Sequence, residues 1–251
     1  MLRENLQPKL TEQTALLEGM RRQPTNKIVL LYSAGADSTA TGLKLREDGF
    51  SIHPIFIDYG QTASKAEEFL ANQGSEQFDF QNLHIIRLAD LMLSLSQSAL
   101  LGGEARDDTQ AWVPARNTIF MLLAGTYAYQ IDADGIAVGF IADDQGVFGD
   151  SSLIHHKLVE LLLTQSLSRP MQVFTPLMSM SKEDVLNYLL KKNALQLTVS
   201  CWNAKKDGDV VVACHECANC RERDENLKHL LEEYSMKLCV GEQNLTKQIT
   251  P

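Results

Sequence analysis

What this chain lacks narrows its function first. Its 251 residues contain no run of eighteen apolar residues, so no segment has the length and apolarity of a membrane-spanning helix. Basic residues are the minority, 23 Lys and Arg against 32 Asp and Glu, for a formal charge of -9. That balance argues against direct, sequence-independent binding to nucleic acid, where a basic surface supplies most of the affinity. The first thirty residues carry charges throughout and lack an apolar core with a cleavage site, so a cytoplasmic protein with a small-molecule substrate is expected. Neither Gly-x4-Gly-Lys-Ser/Thr nor Gly-x-Gly-x-x-Gly occurs, which removes the Walker loop and the dinucleotide fingerprint. Cysteines number only five, and four of them fall within residues 201 to 220, a metal-ligand pattern rather than a scattered disulfide framework. Cys239 is left over and reads as a small hydrophobe. Hydrophobic content of 44% is enough for a full core in one large domain, or in a domain with an appendage.

The chain is organised around Lys27-Ile-Val-Leu-Leu-Tyr-Ser-Ala-Gly-Ala-Asp-Ser-Thr39. Ile28 to Leu31 read as a strand buried on both faces, and the Ser/Gly/Asp/Ser/Thr run after it opens a helix. Free backbone N–H groups at such a helix start, joined by the hydroxyls of Ser33, Ser38 and Thr39, suit a phosphate or pyrophosphate, although Ser and Asp there are also ordinary caps.

Alternation continues with a helix at 38–48, a strand at 52–57 ending in Asp58-Tyr-Gly-Gln61, a helix around 64–73 and a strand at 83–88. A doubly wound, mostly parallel α/β sheet is the economical reading. Ligands of such sheets lie beyond the carboxyl ends of strands, which puts the loop and Asp58 in one crevice, with Asp58 either a ligand or a turn former. Residues 91–112 have no steady period and read as an excursion over the sheet, a candidate lid. Val113-Pro-Ala-Arg-Asn117 opens a strong helix to Gln130, placing Arg116 and Asn117 where Arg can fork onto an anion and Asn can cap. After an apolar strand at 135–140 comes Ala142-Asp-Asp-Gln-Gly-Val-Phe-Gly-Asp150, whose carboxylates suit the paired donors of a guanine-like base or simply water. His155 and His156 are adjacent, point to different faces and read as structural. Ser181-Lys-Glu-Asp184 is a helix start.

Cys201, then Cys214-His-Glu-Cys217-Ala-Asn-Cys220, supplies four thiolates, enough for a closed tetrahedral zinc shell with a structural role. An iron–sulfur cluster is the alternative. An Arg/Glu-rich helix to about residue 234 follows. The expected division is a 1–26 extension, a 27–180 nucleotide-binding domain and a 181–251 helical zinc-binding segment.

The loop Ser33-Ala-Gly-Ala-Asp-Ser38 resembles the Ser-Gly-Gly-x-Asp-Ser pyrophosphate loop of the ATP-pyrophosphatases, an adenine-nucleotide α-hydrolase-like fold. Together with Asp58-Tyr-Gly-Gln61, Val113-Pro-Ala-Arg-Asn117, Thr175-Pro-Leu177 with Ser181-Lys182, and Ser200-Cys201…Cys214-x2-Cys217-x2-Cys220, it resembles the 7-cyano-7-deazaguanine synthase family over roughly residues 27–235. That resemblance implies an ATP-dependent carbon–nitrogen ligase of queuosine biosynthesis that turns 7-carboxy-7-deazaguanine and ammonia into the nitrile. It implies that Ser33, Gly35, Asp37, Ser38, Thr39 and Asp58 hold ATP with magnesium, that Asp37, Ser38 and Arg116 serve the chemistry, and that Arg116, Asn117 and Asp150 meet the substrate. A homodimer is compatible with it. Three departures stand out: Ala34 for the first loop glycine, whose methyl is expected to crowd the nucleotide; Thr62-Ala-Ser64 where a basic residue and histidine are usual; and the acidic 143–150 loop. They admit a divergent member that passes the activated deazaguanine to another amine, such as a protein amine in bacterial defence, or a catalytically silent nucleotide-binding scaffold.

Overall fold

The computed structural model describes residues 23–144 and 149–246. The centre of the acidic loop lies outside them, as do the side chain of Cys239 and all but residues 23–26 of the expected extension. Five strands form one sheet: β1 (Lys27–Leu31), β2 (Ser51–Asp58), β3 (His84–Arg87), β4 (Gly135–Ala137) and β5 (Gln172–Phe174). Their order is β3-β2-β1-β4-β5, every pair parallel. Ile28, Val29 and Leu30 at its centre are fully buried, as an unbroken apolar run between two covered faces requires.

Helices cover both faces, which is the doubly wound α/β arrangement. On one side α1 (Ala36–Glu47) and α2 (Ser64–Gln77) share a buried cluster with α7 (Lys182–Lys191), the four clustered cysteines and the start of α8 (Ala218–Thr246). On the other, α5 (Arg116–Gln130) and α6 (Leu153–Leu167) pack with the excursion that carries α3 (Ala89–Leu95) and α4 (Asp108–Ala111). The excursion is anchored by an antiparallel bridge from Leu101 to Gln61 and by Thr62 Oγ1 donating to the Gly103 carbonyl at 2.6 Å. A two-stranded antiparallel hairpin, β6 (Lys205–Asp207) and β7 (Val210–Val212), separates Cys201 from the other three cysteines. Ser181 and Asp184 close a capping box on α7, as the spacing predicts. No helix among the described residues is long and apolar enough to cross a membrane.

The chain winds from β1 to β2 and β3 on one side, then to β4 and β5 on the other, so the switch of direction falls between β1 and β4. Loops leaving their carboxyl ends diverge there and leave a crevice. Gly139 is pinned at its wall: a Cβ on it would lie 2.7 Å from the Ser38 nitrogen and 2.8 Å from the Asp37 carbonyl carbon, so only glycine lets this loop approach the start of α1.

Candidate active site

A cavity of about 430 Å³ fills the crevice, lined by Ser33, Gly35, Asp37, Ser38 and Lys182 and also by Tyr59, Gln61, Glu67, Arg116 and Asn117. The loop after β1 is held by its own side chains. The Gly35 amide donates to Ser33 Oγ at 3.3 Å, and Ser38 Oγ donates to the Gly35 carbonyl at 3.2 Å. Gly35 occupies the N-cap position of α1, so the first amides of the helix face the cavity with no side-chain cap.

Ala34 behaves differently from the sequence expectation. Its φ of 55° is left-handed, and it is fully buried within the apolar cluster, with its carbonyl accepting the Val199 amide at 2.9 Å. The methyl is not part of the cavity wall. A glycine at this position answers the positive φ rather than making room for a ligand.

Asp37 pairs with Lys182, Nζ to Oδ2 at 2.7 Å, and both side chains are largely buried at 24% and 14% exposure. Its other oxygen, Oδ1, is buried and accepts no hydrogen bond among the described residues. An orphaned carboxylate oxygen beside further carboxylates, with Asp143, Asp144 and Glu222 in the same wall, fits a hard divalent cation. Desolvation raises Asp144 and Glu222 above the ordinary carboxylate range; for Glu222, Lys182 opposes that rise. Lys182 lies 3.9 Å from Glu222 and reaches the site because Asp143 accepts its backbone N–H at 2.8 Å, fixing the start of α7.

Arg116 has no carboxylate within ion-pair distance among the described residues. Its Nη1 lies 3.4 Å from Tyr59 Oη, Nε and Nη2 each lie 3.3 Å from Asn117 Oδ1, and the guanidinium stands 5.8 Å from the Tyr59 ring centre. A guanidinium partnered only by neutral groups and facing a cavity is an anion site in waiting. Asp150 accepts the Asn117 backbone N–H at 3.1 Å, capping α5, whose own N-cap, Ala115, has no capping side chain. It lines a recess of about 60 Å³ shared with Arg116, Asn117 and Trp202.

Three expected residues stand outside the cavity wall: Asp150, in its side recess, Thr39 and Asp58. Thr39 is fully buried behind the loop. Asp58 accepts the Gly60 amide at 3.2 Å and pairs with Arg87 at 2.8 Å, its register partner on β3. Residues the sequence reading passed over as site groups are Lys182, Glu222, Tyr59, Gln61 and Glu67. Lys182 carried a signal through its place in Ser181-Lys182, and Tyr59 and Gln61 through theirs in Asp58-Tyr-Gly-Gln61; Glu67 and Glu222 carried none.

The sulfurs of Cys201, Cys214, Cys217 and Cys220 all lie within 4.8 Å of one another, with Cys214 and Cys220 at 4.0 Å. Tetrahedral zinc with bonds of about 2.3 Å sets sulfurs about 3.8 Å apart, so the set fits such an ion. Desolvation works against the Cys214 thiolate, yet the amides of Glu216 and Cys217, each 3.4 Å from its sulfur, bring its pKa down to about 6. Such N–H donors are the support that ligating thiolates take from their surroundings. The two histidines stand outside the cavity wall: His155 bonds Thr118 at 2.8 Å, and His156 stacks on Phe140, ring centres 4.6 Å apart.

A family model described as queuosine biosynthesis protein QueC matches residues 27–231. A 7-cyano-7-deazaguanine synthase from Alcanivorax borkumensis is 32% identical over 220 residues, covering 82% of this chain and 96% of that protein. Solved structures give distant likenesses. U34-tRNA thiolase NcsA from Methanococcus maripaludis, with its 4Fe-4S cluster, is 15% identical over 98% of this chain and 82% of its own, at a TM-score of 0.47. NMN synthetase from Francisella tularensis is 14% identical over 75% of this chain and 73% of its own, at a TM-score of 0.46.

Proposed function

Because the chain belongs to the QueC family of queuosine biosynthesis proteins, we propose that it makes 7-cyano-7-deazaguanine from 7-carboxy-7-deazaguanine, ammonia and ATP. The observation that carries this reading is Arg116, a guanidinium with no carboxylate within ion-pair distance among the described residues, facing the same cavity as a loop of exposed helix-start amides. In this reading the substrate carboxylate takes AMP from ATP with release of pyrophosphate, ammonia displaces AMP and loses a proton to give the amide, and a second ATP adenylates the amide oxygen, which departs in AMP as the nitrogen loses its protons to give the nitrile.

The chain's own groups have separable tasks. Ser33, Gly35 and Ser38 cradle the phosphates, with Thr39 holding the turn from behind. Lys182 exchanges Asp37 for phosphate oxygens, and Asp37, with Asp144 and Glu222 nearby, holds magnesium. Magnesium supplies charge neutralisation for the departing pyrophosphate. Arg116 meets the substrate carboxylate and the negative charge that develops on it, a preorganised electrostatic role. Asp150 sets Asn117 and Arg116 in place through the start of α5. Asp58 supports the β2 end from its ion pair with Arg87. The four cysteines hold structural zinc, which staples the β6–β7 hairpin and the start of α8 onto the layer of α1, α2 and α7.

Incubating the protein with ATP, magnesium and the deazaguanine acid, with and without ammonia, tests the proposal by nucleotide release and product mass. Nitrile formed only with ammonia is the expected result; ATP bound without turnover would refute it. A second reading, transfer of the activated acid to a protein amine, draws on Ala63, a small buried residue in the cavity wall within the stretch where a basic residue and histidine are usual in the family. Product that stops at the adenylate or amide, and adds mass to an amine-bearing protein, would favour it.

A further inference from the structure

The geometry points to Glu67 as the group that reads the paired N–H donors on the base of the deazaguanine acid, a specificity role that rests on the activity proposed above. Glu67 stands in the first turn of α2 and lines the cavity that the pyrophosphate-type loop also lines. Its Oε2 accepts from Gln61 Nε2 at 2.8 Å. Gln61 has no freedom to serve a ligand instead, because its Oε1 accepts the Tyr59 amide at 2.9 Å and its Nε2 also donates to the Ile57 carbonyl at 3.3 Å. The amide is therefore fixed with its NH₂ toward the carboxyl group. Glu67 Oε1 accepts no hydrogen bond among the described residues, and no cation pairs with the group there. Tyr59 and Phe120, ring centres 5.0 Å apart, and Leu100 line the same cavity.

Hydrogen-bond complementarity decides which base fits. A carboxylate only accepts, so it matches an edge that presents two neighbouring donors. The ring N–H and exocyclic amino group of a guanine-like base form such an edge. Adenine presents a donor beside an acceptor, which an amide matches, and the side-chain amide of Gln61 is already engaged. Asp150, the other carboxylate suited by sequence to this role, has one oxygen on the Asn117 amide and lines the side recess. Removal from water pushes the Glu67 pKa up to about 7, opposed by the Gln61 hydrogen bond and the charge of Arg116 and reinforced by Asp58. Tyr59, Arg116 and Asp58 are thus the titratable or charged groups around it. Binding two donors favours the ionised form, so the free carboxyl gives up its proton as the base arrives.

Calorimetry on the metal-replete protein tests the assignment with three probes: magnesium-ATP, 7-carboxy-7-deazaguanine, and the same acid lacking its exocyclic amino group. Glu67→Gln should weaken the deazaguanine acid by about ten- to a hundredfold and change ATP by less than about twofold. On the wild type, the analogue should bind about tenfold or more weakly than the acid, and the variant should hardly distinguish the two. Wild-type affinity for the acid should fall about tenfold from about pH 8 to about pH 6, a dependence absent from the variant. If Glu67→Gln weakens ATP and spares the acid, Glu67 reads adenine and the inference fails. If wild-type protein turns the acid over while neither the substitution nor loss of the amino group alters affinity, the activity stands and this assignment falls. Wild-type protein that binds no acid overturns both. Should Glu67→Gln not fold, the analogue and the pH series on wild type decide alone.

Discussion

Replacing Lys182 with Met removes a charge while keeping the length of the side chain, and it separates the two tasks that geometry gives this lysine. The Nζ lies 2.7 Å from Asp37 and 3.9 Å from Glu222, with Asp143 and Asp144 in the same wall. Breaking a fully buried pair costs about 3–5 kcal/mol and an exposed one about 0–1 kcal/mol. At 14% and 24% exposure the Lys182–Asp37 pair falls between, at about 2 kcal/mol. In a domain of this size that lowers the melting temperature by about 4–8 °C. A charge-assisted contact to phosphate is worth about 1.5–3 kcal/mol, so magnesium-ATP should bind about ten- to a hundredfold more weakly. Lys182→Arg restores the charge, and with it most of the melting temperature, but its planar fork replaces a compact ammonium and should recover ATP affinity only in part. Differential scanning calorimetry and ATP titration on the three proteins measure both effects. A Lys182→Met protein that melts lower yet binds ATP within twofold of wild type would show that the lysine only neutralises Asp37, and the phosphate role would be withdrawn.

Cys217→Ser should abolish retention of one zinc per chain by elemental analysis, lower the melting temperature by about 10 °C or more, and open the segment after Cys201 to protease; iron with visible absorbance in the wild type would contradict the zinc assignment. Glu67 ionises at about 7 in the fold against 4.5 ordinarily, so its stabilising contribution is complete below about pH 4.5 and is lost as pH rises through about 7. Glu67→Gln should therefore melt like wild type at about pH 4.5 but be more stable by about 2–3 kcal/mol at about pH 8, and an equal difference at both would refute the burial argument. For Ala34→Gly, relief of the left-handed strain, about 1–2 kcal/mol, is offset by a lost buried methyl of about 0.8 kcal/mol and a glycine entropy cost of about 0.5–1 kcal/mol. Stability and ATP affinity should both stay near wild type, and a tenfold gain in affinity would mean that the methyl does obstruct the nucleotide.

The division between what could and could not be read from the residues follows from chain separation. Strand β1, the turn into α1 and the cysteine set declare themselves because their partners lie within a few residues, or because metal-ligand spacing is itself a local pattern. Strand β5 has three residues and no apolar alternation to mark it, and the β6–β7 hairpin pairs Lys-Lys-Asp with Val-Val-Val on a largely exposed surface. Neither has a periodic signal. Asp58 shows the limit most clearly. At a strand end it reads equally as ligand or turn former, and its position is resolved by parallel register with β3, which sets Arg87 opposite it. Lys182 and Asp37 are 145 residues apart, and Arg116 meets Tyr59 across 57. Such pairs exist only after the sheet has reversed direction between β1 and β4. The family motifs mark the places where the chain is locally specialised, whereas the pairing of Lys182 with the loop and the placing of Glu67 in the cavity wall are products of the winding. A motif search on a divergent relative will therefore find the loop and the cysteines first. The groups that distinguish one substrate base from another will emerge only from the packed sheet.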